Sequence, residues 1–107
     1  MMTGNQRSER RYDRRIPVLV QGTNNEDLFF AELVLTKNIS SRGACLELEN
    51  KVPLGQKLKI FFRNGRYQAI ASVRWQRNVG ERSHVGIQLE HEAKSWKLLI
   101  DQLVDGA

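Results

Sequence analysis

The sequence predicts a small, mainly β domain, a barrel or sandwich of about six strands with one C-terminal helix. Stretch after stretch alternates apolar and polar residues at the period of a half-buried strand. The connections between these stretches are short and rich in turn residues. After Glu90 the period changes to that of a helix. With 107 residues the chain holds one modest core, so a single domain is expected.

The elements follow in chain order. Residues 1–13 are polar and without periodicity, which predicts a flexible basic arm ahead of a single domain over 14–107. "IPVLVQG" and "LFFAELVLTKN" are β-rich without clean alternation, which signals burial on both faces or a bulge. "GACLELE" sets Ala44, Leu46 and Leu48 inward and Cys45, Glu47 and Glu49 outward. "KLKIFFR" does the same with Leu58, Ile60 and Phe62. In "RYQAIASVRWQR" strict alternation places Tyr67, Ala69, Ala71, Val73 and Trp75 on one face, so Trp75 is expected in the core. "HVGIQLE" aligns Val85, Ile87 and Leu89. Asn64 and Gly65 accept the positive φ of a two-residue hairpin turn, which makes the flanking strands antiparallel. Trp96, Leu99, Ile100 and Leu103 share one stripe of a helix over about residues 92–104, expected to cover an end or seam of the sheet.

A formal net charge of +5 favours a polyanionic partner. The single cysteine excludes an intrachain disulfide and a cysteine-rich zinc site and fits a reducing compartment, so a cytoplasmic location is expected. No stretch has the apolar length of a signal peptide core or a bilayer span. His84 and His91 lack metal-ligand spacing, Ser40 and Ser41 carry no triad signature, and Cys45 has no evident activating neighbour. Catalysis, metal and cofactor are therefore not expected.

Two clusters remain. Arg10, Arg11, Arg14 and Arg15 crowd like charge just ahead of the first strand, with Arg7 nearby. Guanidinium groups grip phosphates bidentately, match the O6 and N7 acceptors of guanine and stack on bases. Taken alone, the cluster also reads as a solvated basic tail. In "NISSRG", Asn38, Ser40 and Gly43 lie between two strands. They fit a turn in which Asn and Ser bond nearby backbone and Gly relieves a strained φ. They equally suit close approach of a ligand, the Asn at a base edge and the Ser at a phosphate.

Together the clusters resemble the signature of the PilZ domain, the bacterial receptor for cyclic di-GMP: RxxxR before the first strand, then [D/N]xSxxG between strands. "RYDRR" or "RRYDR" supplies the first half and "NISSRG" the second, and "ASVRW" and "HVGIQLE" are similar to the family's closing strands. The resemblance implies a six-stranded antiparallel barrel with a C-terminal helix, and an arginine arm that folds across the barrel when cyclic di-GMP binds. It implies guanine and phosphate contacts from Arg11 and Arg15, a guanine edge on Asn38, phosphate or backbone at Ser40, and an open surface at Gly43. Arg42 and Trp75 are further candidates, the latter for base stacking.

The doubled arginines allow two registers. The one using Arg11 and Arg15, which we prefer, puts Arg10 directly before the motif, an arrangement associated in the family with a stacked pair of ligand molecules. The one using Arg10 and Arg14 puts Glu9 there and favours a single molecule. Asn38 stands where many members have Asp, which removes the charge best suited to guanine N1 and N2. The implied function is a cyclic di-GMP receptor or adaptor that signals to an effector protein. The alternatives are a PilZ-like docking module without ligand and a basic barrel that binds nucleic acid.

Overall fold

The computed structural model describes residues 10–90 and 94–105. Six strands, β1 (Pro17–Thr23), β2 (Phe29–Ser40), β3 (Gly43–Leu48), β4 (Lys57–Phe62), β5 (Tyr67–Val79) and β6 (Arg82–Leu89), precede a helix α1 (Lys94–Asp105). Every strand pair is antiparallel, and the order β1-β2-β3-β6-β5-β4 closes into a barrel. Each strand is paired on both sides over at least part of its length, the long strands β2 and β5 changing partner along their course. The expected mainly β barrel with a C-terminal helix is the fold observed.

In β3 to β6 the inward residues are those the alternation selects: Leu46 and Leu48, Leu58, Ile60 and Phe62, Ala69, Ala71 and Val73, and Val85, Ile87 and Leu89; β1, where the sequence showed no clean alternation, turns Val18 and Val20 inward. The β4–β5 hairpin turns on Asn64 and Gly65, at φ 57° and 80°, closed by Arg66 N–H donating to the Arg63 carbonyl at 3.1 Å. β2 carries a bulge between Thr36 and Asn38, but ahead of it burial alternates regularly. The uneven pattern there comes from apolar residues on the outer face, Phe29, Leu33 and Leu35, which are exposed, so burial on both faces does not hold.

Trp75 departs from the sequence expectation. A second bulge lies between Val73 and Trp75 in β5. One extra residue inverts the in–out parity of everything after it. Val73 is buried, but Trp75 points outward with 41% of its surface exposed.

Arg10 to Asp13, read from sequence as the end of a flexible arm, lie along β2: Tyr12 N–H donates to Ile39 O at 2.8 Å and Ile39 N–H to Tyr12 O at 2.9 Å. Tyr12 packs its ring on the core. Residues 1–9, the rest of that arm, fall outside the described residues. Buried Thr36 fastens the next turn of chain, its hydroxyl donating to Arg14 O at 2.6 Å and accepting from Ile16 N–H at 2.9 Å.

Helix α1 covers one end of the barrel through the expected stripe, with Trp96, Leu99 and Ile100 buried and Leu103 packed on the core. The Trp96 ring meets Phe62 edge-on, centroids 5.2 Å apart, and its indole N–H donates to Ser40 O at 2.9 Å. Trp96→Phe removes this hydrogen bond and part of a buried ring. Urea unfolding should show a loss of about 1–3 kcal/mol with an unchanged m-value; an unaltered midpoint would mean this bond contributes nothing to the docking of the helix.

Candidate functional site

The two bulges lie at opposite ends of one row across the outside of the barrel. Asn38 pairs with Cys45, Cys45 with Gly86, and Gly86 with Trp75. Without the bulges, Asn38 and Trp75 would have pointed inward; with them, an amide and an indole flank a floor of small residues. Gly86 makes the floor flat: a Cβ there would sit 2.0 Å from Trp75 Nε1, so the indole lies directly over the glycine.

Arg11 closes the other side, its guanidinium Nη1 donating to Asn38 Oδ1 at 3.0 Å. This contact joins residues 27 positions apart and brings the arginine run against the "NISSRG" turn. A depression of about 220 Å³ opens between them, bordered by Arg11, Ser40, Arg42 and Gly43 on one side and by Trp75 and Gly86 on the other. Arg74, Ile87 and Gln88 complete its wall. A larger depression of about 300 Å³ lies elsewhere, lined by Asn25, Lys51, Gln76, Arg77 and Asn78, and contains none of the candidate residues.

The structure therefore brings together Arg11, Asn38, Ser40, Arg42, Gly43 and Trp75. Arg10 and Arg15 are exposed and do not line the depression. Arg14 is half-buried, and its Nη1 reaches the neighbouring Asp13 carbonyl at 3.4 Å. Along the extended chain Arg11 and Arg15 point outward while Tyr12 and Arg14 turn toward the barrel.

Ser40 is buried, its carbonyl held by Trp96 and its hydroxyl accepting from Arg42 N–H at 3.4 Å, the local Ser turn anticipated from sequence. Gly43 has a reason beyond those anticipated. Its φ is not positive, and beside lining the depression it meets a second demand: a Cβ would fall 2.1 Å from the Ile87 carbonyl oxygen, so glycine is needed for β3 to approach β6.

Cys45 faces outward as its register requires, yet it is buried beneath the row. Burial raises its thiol above the ordinary value of 9.0, opposed by the positive charges of Lys37, Arg11 and Arg77. It is a packed thiol, protonated at neutral pH. His84 Nε2 lies 3.7 Å from Glu47 Oε1, His91 is outside the described residues, and no cluster of metal-binding side chains occurs among the described residues.

Sequence reasoning did not single out Arg74, Gly86 or Gln88. Gly86 carried a signal: a glycine inside a strand, with an aromatic on a neighbouring strand able to cover it.

Comparison with known proteins gives the frame for this geometry. The family model described as the PilZ domain matches residues 5–105. Among solved structures, the chain superposes on the Bacillus subtilis inhibitor of motility MotI/DgrA with a TM-score of 0.71 at 19% identity, covering 98% of this chain and 56% of that one. It thus spans little more than half of the Bacillus protein. It also resembles the PilZ domain of CeSA from a cellulose-synthesizing bacterium, with a TM-score of 0.54 at 20% identity over 91% of this chain and 96% of that one. No curated protein matches it. A closed six-stranded barrel, an arginine run held against an NxSxxG turn, and a family match over almost the whole chain lead to one assignment: the chain belongs to the PilZ domain family.

Proposed function

We propose that this chain is a cyclic di-GMP receptor that acts in the cytoplasm and passes the binding event to an effector protein. The observation that carries the reading is the Arg11–Asn38 hydrogen bond, which places the two halves of the motif at one depression beside an exposed tryptophan. A guanine base fits such a place: a flat indole to stack on, guanidinium groups for its O6 and N7 acceptors, and cations for the phosphate. With Asn38 Oδ1 engaged by Arg11, the Asn38 amide N–H groups remain as donors toward guanine.

A volume of about 220 Å³ accepts part of a dinucleotide only. The rest of the ligand must then lie against the arginine segment, with Arg15 on the same outward side as Arg11. That arrangement favours the Arg11/Arg15 register, with Arg10 just before it available to a second, stacked molecule. A dianion among these guanidinium groups replaces repulsion by charge-assisted bonds and presents a changed face to the effector.

The depression also combines an aromatic with several cations, the arrangement by which barrels bind single-stranded nucleic acid, so DNA is the informative competitor. In calorimetric titrations, cyclic di-GMP should bind selectively over GTP and a short single-stranded DNA. Arg11→Ala and Arg15→Ala should each cost about 1–3 kcal/mol, or roughly 5- to 150-fold in Kd. Arg14→Ala should cost much less, and the stoichiometry distinguishes one bound molecule from two. Unaltered affinity in Arg11→Ala, or DNA binding in place of cyclic di-GMP, would refute the assignment.

Cys45 supplies a second readout beneath the same surface. Its native thiol keeps its proton more firmly than the unfolded one, so its contribution to stability is full below the ordinary thiol range and is lost as pH rises through the native value. Its reaction with a thiol reagent should therefore be slow at pH 8, accelerate only above about pH 9, and slow further when cyclic di-GMP covers the row. Equal rates with and without saturating ligand would place the ligand elsewhere.

A further inference from the structure

The face formed by β4, β1 and β2 carries an apolar stripe that the ligand reading does not use. Along β2, Phe29, Ala31, Leu33 and Leu35 point outward, with Phe29 70%, Leu33 74% and Leu35 50% exposed. The neighbouring strands extend it: Leu19 stands opposite Leu33 and Phe61 opposite Leu19, both half-buried, and Pro17 stands opposite Leu35. The stripe runs about 20 Å along the strand. Contiguous apolar surface of this kind on a charged domain marks an interaction site.

The two ends of the stripe differ in charge. Beyond Phe29 lie the exposed carboxylates of Glu26 and Asp27; beyond Leu35 lie Lys37, whose Nζ is 3.9 Å from Glu47 Oε1, and the exposed Arg15, which the ligand reading also uses. A surface apolar in the middle, acidic at one end and basic at the other is complementary to itself when turned end for end, which is the condition for a two-fold interface. Antiparallel apposition about a point between Ala31 and Leu33 sets Leu33 against Ala31 of the other copy, bulky against small. It likewise sets Phe29 against Leu35, and the Glu26–Asp27 loop against Lys37 and Arg15. Two sheets packed face to face in this way interdigitate as in a sandwich. The net charge of +5 on each copy is screened over roughly 8 Å at physiological salt, whereas the end contacts are local.

We infer that the outer face of β4, β1 and β2 docks on the same face of a second copy of this chain, forming an isologous dimer through the Phe29–Leu35 stripe. Sedimentation velocity over a concentration series should show mass doubling, and Leu33→Glu, at an exposed position, should abolish it while the circular dichroism spectrum is unchanged. Charge reversal tests the orientation. A variant combining Glu26→Lys with Asp27→Asn and a second carrying Lys37→Glu should each associate at least tenfold more weakly alone. Mixed, they should associate again, because each then meets its opposite. A monomer at all concentrations, a dimer indifferent to Leu33→Glu, or no recovery on mixing the charge variants would overturn the inference.

Discussion

The site depends on a parity change made twice. Side chains of a strand alternate with period two, so a single inserted residue exchanges inside for outside along all that follows. In this barrel the exchange occurs in β2, between Thr36 and Asn38, and in β5, between Val73 and Trp75. Because both bulges sit on one cross-strand row, they deliver an amide and an indole to the same outer surface, with Cys45 and Gly86 between them. A barrel without them would bury those two side chains and leave the arginine run facing an ordinary polar sheet. The bulges hold because the strands around them are anchored inward by Thr36 and Val73 before the insertion and by Ile39 after it.

The same few residues also tie the site to the rest of the molecule. Ile39 exchanges two backbone bonds with Tyr12, and Asn38 beside it receives Arg11. Ser40, next along, holds the helix through its carbonyl and the turn through its hydroxyl. Three consecutive residues of β2 therefore hold both the arginine segment and the C-terminal helix.

The fold was legible because half-burial writes itself into the sequence: "KLKIFFR" and "HVGIQLE" state which face is inward, and the Asn64–Gly65 pair fixes one hairpin outright. The helical stripe ending in Leu103 was equally plain. Trp75 was not, because strict alternation continued from Val73 and a bulge leaves no compulsory mark on composition. Cys45 was placed on the correct face but not at its correct burial, since its neighbours Asn38 and Gly86 come from other strands. Gly43 was marked for a strained φ that it does not adopt; its further constraint is the Ile87 carbonyl across the sheet, a contact that local sequence cannot express. The two motifs named Arg11, Ser40 and Gly43, which border one depression; Arg74, Gly86 and Gln88 in its wall followed only from the register between strands.

The central claim, that guanine stacks at the outer row set by the two bulges, is tested most directly by intermolecular nuclear Overhauser effects between bound cyclic di-GMP and the protein. The account predicts contacts from guanine H8 to the Trp75 indole and to Gly86 Hα, together with ligand contacts to the Arg11 side chain. Guanine contacts confined to other surfaces, such as the Lys51 and Arg77 depression, with the Trp75 ring unperturbed, would contradict it.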